Sequence, residues 1–234
     1  DFTASVSGKV CTVVFAANPN YDIPADDGGN NVYDLTVAFT DGTNDLGAQT
    51  TAITITDVND QTPAATVAAT YSVAENTATV GTMSITDTDT TGTQACTVAG
   101  TDNSLFTCTV SSGTATLAFA SAPNYDSAAD AGANNVYDVT VSFTDGTNTL
   151  SAQTTAITVT DLNDQTPAVT VAATYSQAEA AATTFQAFTM VDSDTTGTYA
   201  CTLGGTDAAD FTASVSGKVC TVVFAANPNY DIPA

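Results

Sequence analysis

Arginine, histidine and tryptophan are absent from this chain, and lysine occurs only at Lys9 and Lys218. Each absence removes a class of function. Two cations against 25 acidic residues give a formal net charge of -23, so the chain has no means of neutralising phosphates or gripping an anionic membrane surface. Nucleic acid is therefore excluded as a partner. Without histidine there is no Ser-His-Asp or Cys-His catalysis, no catalytic residue is assigned, and an enzyme is not expected. No CxxC pair is present either, which removes zinc and redox-motif readings. No apolar run approaches the roughly 18 residues of a spanning helix, so direct membrane insertion is not expected of this segment. No signal peptide opens the chain, which places any targeting information outside this window.

What is present is apolar enough to fold, with 43% hydrophobic residues, and it is repetitive. Residues 30–72 recur as residues 134–176, a period of about 104, and residues 1–25 recur letter for letter as residues 210–234. Hydrophobicity alternates with a period of two, and threonine, valine and aromatic residues are abundant. The pattern predicts strands over 65–74, 79–86, 94–100, 104–110, 114–120, 134–144 and 152–160. Seven strands in about 104 residues indicate an all-β fold, tandem Greek-key seven-stranded sandwiches of immunoglobulin-like size joined end to end. With edges placed before the prolines, 1–61 is the C-terminal part of one repeat, 62–165 a complete repeat and 166–234 the N-terminal part of another. Threonine, about a fifth of the chain, suits half-exposed strand positions.

The acids are crowded where strands end. TDVNDQTP (residues 56–63) and TDLNDQTP (160–167) each place two aspartates and an asparagine within four residues, and TDTDT, PNYD and FTDG add more. If successive strands run antiparallel, these motifs gather at opposite ends of each sandwich, so that two acidic ends meet across a short linker. Carboxylates and carbonyl oxygens without histidine or thiol suit a hard cation taking six to eight oxygens, and calcium fits better than magnesium.

These motifs resemble the cadherin repeat, especially the cadherin-like repeats of bacterial surface proteins, over essentially the whole chain. SVAENTATVGTMSITDTDTTGT matches the family's opening, with Glu75 at its glutamate position and Asp87 and Asp89 at its Asp-x-Asp; NYD, FTDG and DVNDQTP follow in order. Glu75 and Glu179, the only glutamates, occupy the same repeat position. The resemblance implies up to three calcium ions at each junction. It assigns Asp22, Asp57, Asn59, Asp60, Asp87, Asp89 and Asp145 to the first, and Glu75, Asp126, Asp161, Asn163, Asp164, Asp192 and Asp194 to the second. Glu179, Asp231 and Asp41 would serve neighbouring junctions. Gln61 and Gln165 replace the family's asparagine at a position expected to offer its backbone carbonyl. Asn20 and Asn124 replace an acid, which removes a charge and is expected to weaken the outermost site.

The cysteines carry a separate argument. Cys96 and Cys108 share strand parity with core positions, and Cys201 matches Cys96; Cys108 aligns with Ala213, whereas Cys220 aligns with Ala115. Disulfides Cys96–Cys108 and Cys201–Cys220 explain the reciprocal alanines, which small buried thiols would not. Such bonds place the protein outside a reducing cytosol, secreted or at a cell surface. The function expected is a calcium-stiffened extracellular rod or filament, such as the stalk of an adhesin. A calcium-dependent adhesion module gripping a carbohydrate or another cell is the alternative. Tyr21, Tyr33, Tyr125 and Tyr137 recur with the repeat, which suggests framework packing rather than a binding patch. The partners expected are further copies of the repeat end to end, with lateral association between rods. The identical ends are read as a window on a longer array whose unit is two non-identical repeats.

Overall fold

The computed structural model describes residues 1–179, 183–229 and 231. Its strands are β1 (Phe2–Ser7), β2 (Val10–Phe15), β3 (Val32–Thr40), β4 (Asp45–Thr54), β5 (Thr70–Ala74), β6 (Thr79–Ser84), β7 (Ala95–Ala99), β8 (Phe106–Ser111), β9 (Thr114–Phe119), β10 (Val136–Thr144), β11 (Thr149–Thr160), β12 (Thr184–Thr189), β13 (Phe211–Ser216) and β14 (Val219–Phe224). They belong to two compact units. The first comprises Asp1–Tyr71, Thr79–Ser121 and Tyr137–Ala156, and the second Ser72–Ala78, Ala122–Val136 and Ile157–Ala234.

In the first unit, alternation decides which side chains face inward. Along β10, Tyr137, Val139, Val141 and Phe143 are buried while their neighbours are not. β10 pairs antiparallel with β7, Val141 opposite Val98 and Phe143 opposite Cys96. A second sheet, in the order β6-β9-β8, supplies Met83, Ala115, Leu117, Phe119 and Phe106. Tyr137 meets Phe106 and Phe119 edge-on, at ring-centroid distances of 5.9 and 5.1 Å. Fully burying each of these large side chains contributes about 1.5–3 kcal/mol. Hairpins β1–β2 and β3–β4 repeat the theme, with Tyr33 edge-on to Phe2 and Phe15. The recurrent tyrosines Tyr33 and Tyr137 are thus framework residues.

The second unit holds the sheet β12-β14-β13, with Met190, Cys220 and Val222 at its centre and Phe185, Phe188, Phe211 and Val215 packed around them.

The seven strands read from the middle repeat are all present, with one difference. The run over 65–74 is not continuous: Ala64 makes an isolated bridge to Thr86, and the chain then crosses before β5 starts at Thr70. A side chain covers the crossing. Gln153 Nε2 donates to the Ala65 carbonyl at 3.0 Å, and its Oε1 accepts from the Val67 N–H at 3.0 Å, in place of a ladder partner. β5 runs parallel to β11, since Ala156 N–H donates to the Ala69 carbonyl (3.1 Å) and Glu75 N–H to the Thr160 carbonyl (3.0 Å). Residues 200–204, which match β7, form no strand. β7 is an edge strand that exists by pairing with β10, and no such partner lies beside 200–204 among the described residues.

Both expected disulfides are formed, Cys96–Cys108 with Cα atoms 5.8 Å apart and Cys201–Cys220 with 6.0 Å. The first joins β7 to β8 and so ties the two sheets together. Ala115 is fully buried on β9, and Cys11 is free.

Candidate metal centres

In the first unit, the chain leaving β4 carries Asp57, Asn59 and Asp60, the turn after β6 carries Asp87 and Asp89, the β10–β11 turn carries Asp145, and the β2–β3 loop carries Asp22. Carboxylate oxygens of Asp22, Asp60 and Asp89 lie within 4.8 Å of one another, as do those of Asp87, Asp89 and Asp145. Asp89 belongs to both groups. Asn59 sits between two of these acids, its Oδ1 2.8 Å from Asp145 Oδ2 and 3.0 Å from Asp89 Oδ2. Two arrangements reconcile three such oxygens: the amide turned to donate to both carboxylates, or a cation among them.

The second unit repeats the construction. Glu75, Asp126 and Asp164 form one group within 4.8 Å, and Asp126, Asp161 and Asp194 another. Asp192 stands beside them, its Oδ1 accepting the Asp194 N–H at 3.2 Å. Asn163 lies against Gly197. Asp57 borders the first unit's groups. Asp41, Glu179 and Asp231 join none of these groups among the described residues, and all three are exposed. Asp41 instead closes its own turn, accepting the N–H groups of Thr43 (2.8 Å) and Asn44 (2.7 Å), which hold its pKa down at about 2. Tyr230, in the last copy of the NYD motif, lies outside the described residues.

Most of these acids spend one oxygen on the protein. Asp89 and Asp194 each accept a linker N–H at 2.9 Å, from Gln61 and Gln165 respectively. Asp57 accepts the N–H and hydroxyl of Thr90; Asp161 accepts the same groups of Thr195 and the N–H of Thr196. Asp145 accepts N–H bonds from Thr147 and Asn148, both at 2.7 Å. The remaining oxygens are a different matter. Asp22 Oδ1, Asp57 Oδ1, Asp89 Oδ1, both oxygens of Asp126, Asp161 Oδ1 and Asp194 Oδ1 are buried without a hydrogen-bond partner. Buried carboxylate oxygens left bare are costly. Among the described residues, every acidic oxygen so left belongs to one of the two sequence-predicted ligand sets.

Charge follows the same division. Burial pushes the Asp22 carboxyl above its ordinary pKa, and Asp89, Asp60 and Asp57 push it further. Asp194 is raised by burial too, with Asp192, Asp126 and Asp161 adding to it against the Gln165 N–H. Asp57 and Asp161 are lowered, chiefly by the hydroxyls of Thr90 and Thr195. A cation among these groups would relieve the repulsion and satisfy the bare oxygens together. The donor set is all oxygen, which fits a hard divalent ion of the calcium type.

Sequence reasoning missed several residues. Asn20 and Asn124 entered it only as lost charges, yet they build the NYD loops: Asn20 Oδ1 accepts the Asp22 N–H at 2.8 Å, and Asn124 Oδ1 the Ser127 N–H at 3.0 Å. Asp26 and Asp130 are buried acids outside the centres, each satisfied by two backbone N–H groups, of Asn30 and Asn31 or Asn134 and Asn135. The repeated asparagine pair that follows each, with Asn31 at φ 63° and Asn135 at φ 60°, is the sequence signal for that turn. Gly92 was missed as well. At φ 101°, it lies where a Cβ would sit 2.4 Å from Asn59 Nδ2 and 2.7 Å from the Asp145 carbonyl oxygen.

No protein-family model matches the chain, and no curated protein sequence does. Solved structures do. The chain is similar to human CDH23 EC21-23 (TM-score 0.65, 14% identity), covering 97% of this chain and 73% of that one. It is similar to protocadherin gamma B2 extracellular cadherin domains 1-5 (TM-score 0.58, 16% identity), covering 98% of this chain and 44% of the other. For the protocadherin gammaB4 extracellular domain the values are 0.58, 19%, 99% and 36%. The chain thus spans less than half the length of the two protocadherin structures. At these identities the likeness establishes the fold, an all-β sandwich of the cadherin extracellular type.

Proposed function

We propose that this chain is a calcium-stiffened extracellular structural segment, built of cadherin-like repeats joined end to end into a rod or filament. The observation that carries the reading is the placement of the bare buried carboxylate oxygens. Seven of them, on six aspartates, fall within or beside the two acidic clusters, while acids buried elsewhere among the described residues are met by backbone N–H groups. Asp22, Asp57, Asn59, Asp60, Asp87, Asp89 and Asp145 would hold ions in the first unit. Glu75, Asp126, Asp161, Asn163, Asp164, Asp192 and Asp194 would hold them in the second. Bound calcium would supply positive charge that cancels the crowding of acids and cross-links the linker to the loops on either side of it.

The residues themselves do the positioning. Thr90 and Thr195 orient Asp57 and Asp161, and the linker N–H groups of Gln61 and Gln165 orient Asp89 and Asp194. The repeats are taken as 1–61, 62–165 and 166–234, with further copies of the same repeat as partners. Two disulfides support an oxidising location outside the cytosol. No helix among the described residues is long and apolar enough to cross a membrane.

Small-angle scattering with and without a chelator tests the proposal, alongside calorimetric titration. Calcium modules of the extracellular type bind at about 10⁻⁴ to 10⁻³ M, so millimolar calcium should give an extended profile and chelator a broader, more flexible one. Identical profiles, with no heat of calcium binding, would sink it.

A further inference from the structure

One of the chain's two lysines is committed to the second centre. Lys218 Nζ donates to the Asp192 carbonyl at 2.6 Å and to the Asp194 carbonyl at 3.4 Å, and it lies 5.7 Å from the centroid of the Tyr199 ring. The backbone places it there. The Lys218 carbonyl accepts the Met190 N–H at 2.8 Å, two residues before Asp192, so the β13–β14 turn is fastened beside the Asp-x-Asp loop.

The first unit has the same fastening without the cation. Ile85 N–H donates to the Gly113 carbonyl at 2.7 Å, two residues before Asp87, and Gly113 stands where Lys218 stands. Beside it is an open groove of about 380 Å³, lined by Asp87, Asp89, Gln94, Val110, Ser112 and Gly113. The turn type explains the exchange. Ser112 and Gly113 are both left-handed, at φ 47° and 74°, which a lysine would occupy under strain. In the β13–β14 turn only Gly217 is left-handed, at φ 55°, and the following position accepts a side chain.

We propose that Lys218 is a positioning residue, a tethered ammonium that holds the Asp192–Asp194 loop in one shape without an ion, so that the two centres of this chain differ in their ion-free state. The cation is spent on backbone carbonyls, which leaves the carboxylates of Asp192 and Asp194 free to face the cluster. It also puts one positive charge beside an otherwise wholly acidic set. The Asp87–Asp89 loop lacks this clamp and depends on whatever neutralises its carboxylates. The clamp itself stands on the lysine geometry alone; its consequence for ion filling rests on the calcium reading above.

Hydrogen exchange on the whole chain, in chelator and in millimolar calcium, tests this. A hydrogen bond from a charged donor corresponds to about a tenfold change in opening equilibrium. In chelator, Lys218→Met should raise exchange over 192–196 about tenfold and leave 87–91 unchanged. The paired substitution Ser112→Gly and Gly113→Lys should slow 87–91 by a similar factor, a gain that a mere loss of packing would not produce. Calcium should then slow 87–91 far more than 192–196 in the unsubstituted chain. Unchanged exchange at 192–196 in Lys218→Met, with no gain from the paired substitution, overturns the clamp even if calcium binds. Lysine effects that persist in chelator while calcium alters neither loop support the clamp and overturn the calcium reading instead.

Discussion

Replacing Glu75 with alanine should weaken the second unit even with no ion present. The Glu75 side chain is fully buried, and its two oxygens accept the Leu162 N–H at 2.7 Å and the Tyr125 N–H at 2.8 Å. One bond ties the end of β5 to the chain leaving β11, and the other ties it to the NYD loop. Truncation removes both and strands two donors. Hydrogen bonds to a charged acceptor contribute about 1.5–3 kcal/mol each. Leu162 is 42% exposed, so water reaches its N–H and the lower figure applies there. Against this, the substitution removes repulsion with Asp126 and Asp164, about 1 kcal/mol per pair near 5 Å in a water-like dielectric. The balance is a loss of about 1–2.5 kcal/mol. For a domain of this size, each kcal/mol moves the midpoint by about 4–8 °C, so the melting of that unit should fall by about 4–20 °C in chelator. Differential scanning calorimetry reads this directly, and Glu75→Gln, which keeps one acceptor, should lie between the two. A midpoint in chelator that does not move would show that these bonds contribute nothing net, and would leave Glu75 only an ionic role.

Replacing Cys96 and Cys108 together with alanine should cost about 3 kcal/mol in the chain-entropy model for a separation of 12 residues, seen as a lower denaturant midpoint without loss of the all-β circular dichroism. Gly92→Ala should weaken ion binding in the first unit by at least about tenfold, because a Cβ at φ 101° collides with Asn59 and the Asp145 carbonyl; terbium luminescence titration should show the second unit's sites unchanged. The N–H of Asn30, with that of Asn31 against burial, holds the Asp26 carboxyl below its ordinary value of 3.8. A folded value lower than the unfolded one means that the stability Asp26 lends is complete above that value and is lost as pH falls through the folded one. Asp26→Asn should therefore make acid unfolding of the first unit less steep below about pH 4, and an unchanged acid limb would contradict this.

Much of this could be read from the chain because each signal was local and doubled by the repeat. The alternation of Tyr137, Val139, Val141 and Phe143 predicts their burial without any partner being known. Cys108 against Ala213 and Cys220 against Ala115 likewise point to pairings that the structure forms. The unread parts depend on partners far away in sequence. Nothing near residue 65 announces that Gln153 will stand in for a strand there. An aspartate also looks the same whether its neighbours donate N–H groups, as around Asp26 and Asp130, or other carboxylates approach it, as around Asp89 and Asp126. That distinction is made by backbone direction in the loops, which composition does not carry. The family motifs had already picked out the clustered acids, but the crossing of the first strand and the backbone partners of Asp26 and Asp130 were invisible until the loops were placed.

The parallel run of β5 beside β11 has a mechanical consequence. A pull between residues 63 and 165 drags these two strands past each other along their length, so their hydrogen bonds are loaded in shear and must fail together rather than one at a time. Antiparallel hairpins pulled from their open end would instead unzip at low force. The Cys96–Cys108 bond, between β7 and β8, keeps the 11 residues between its cysteines from extending. Tension applied across β5 and β11 thus meets one short two-strand contact, and a single proline placed in β5 would let that contact yield at low force.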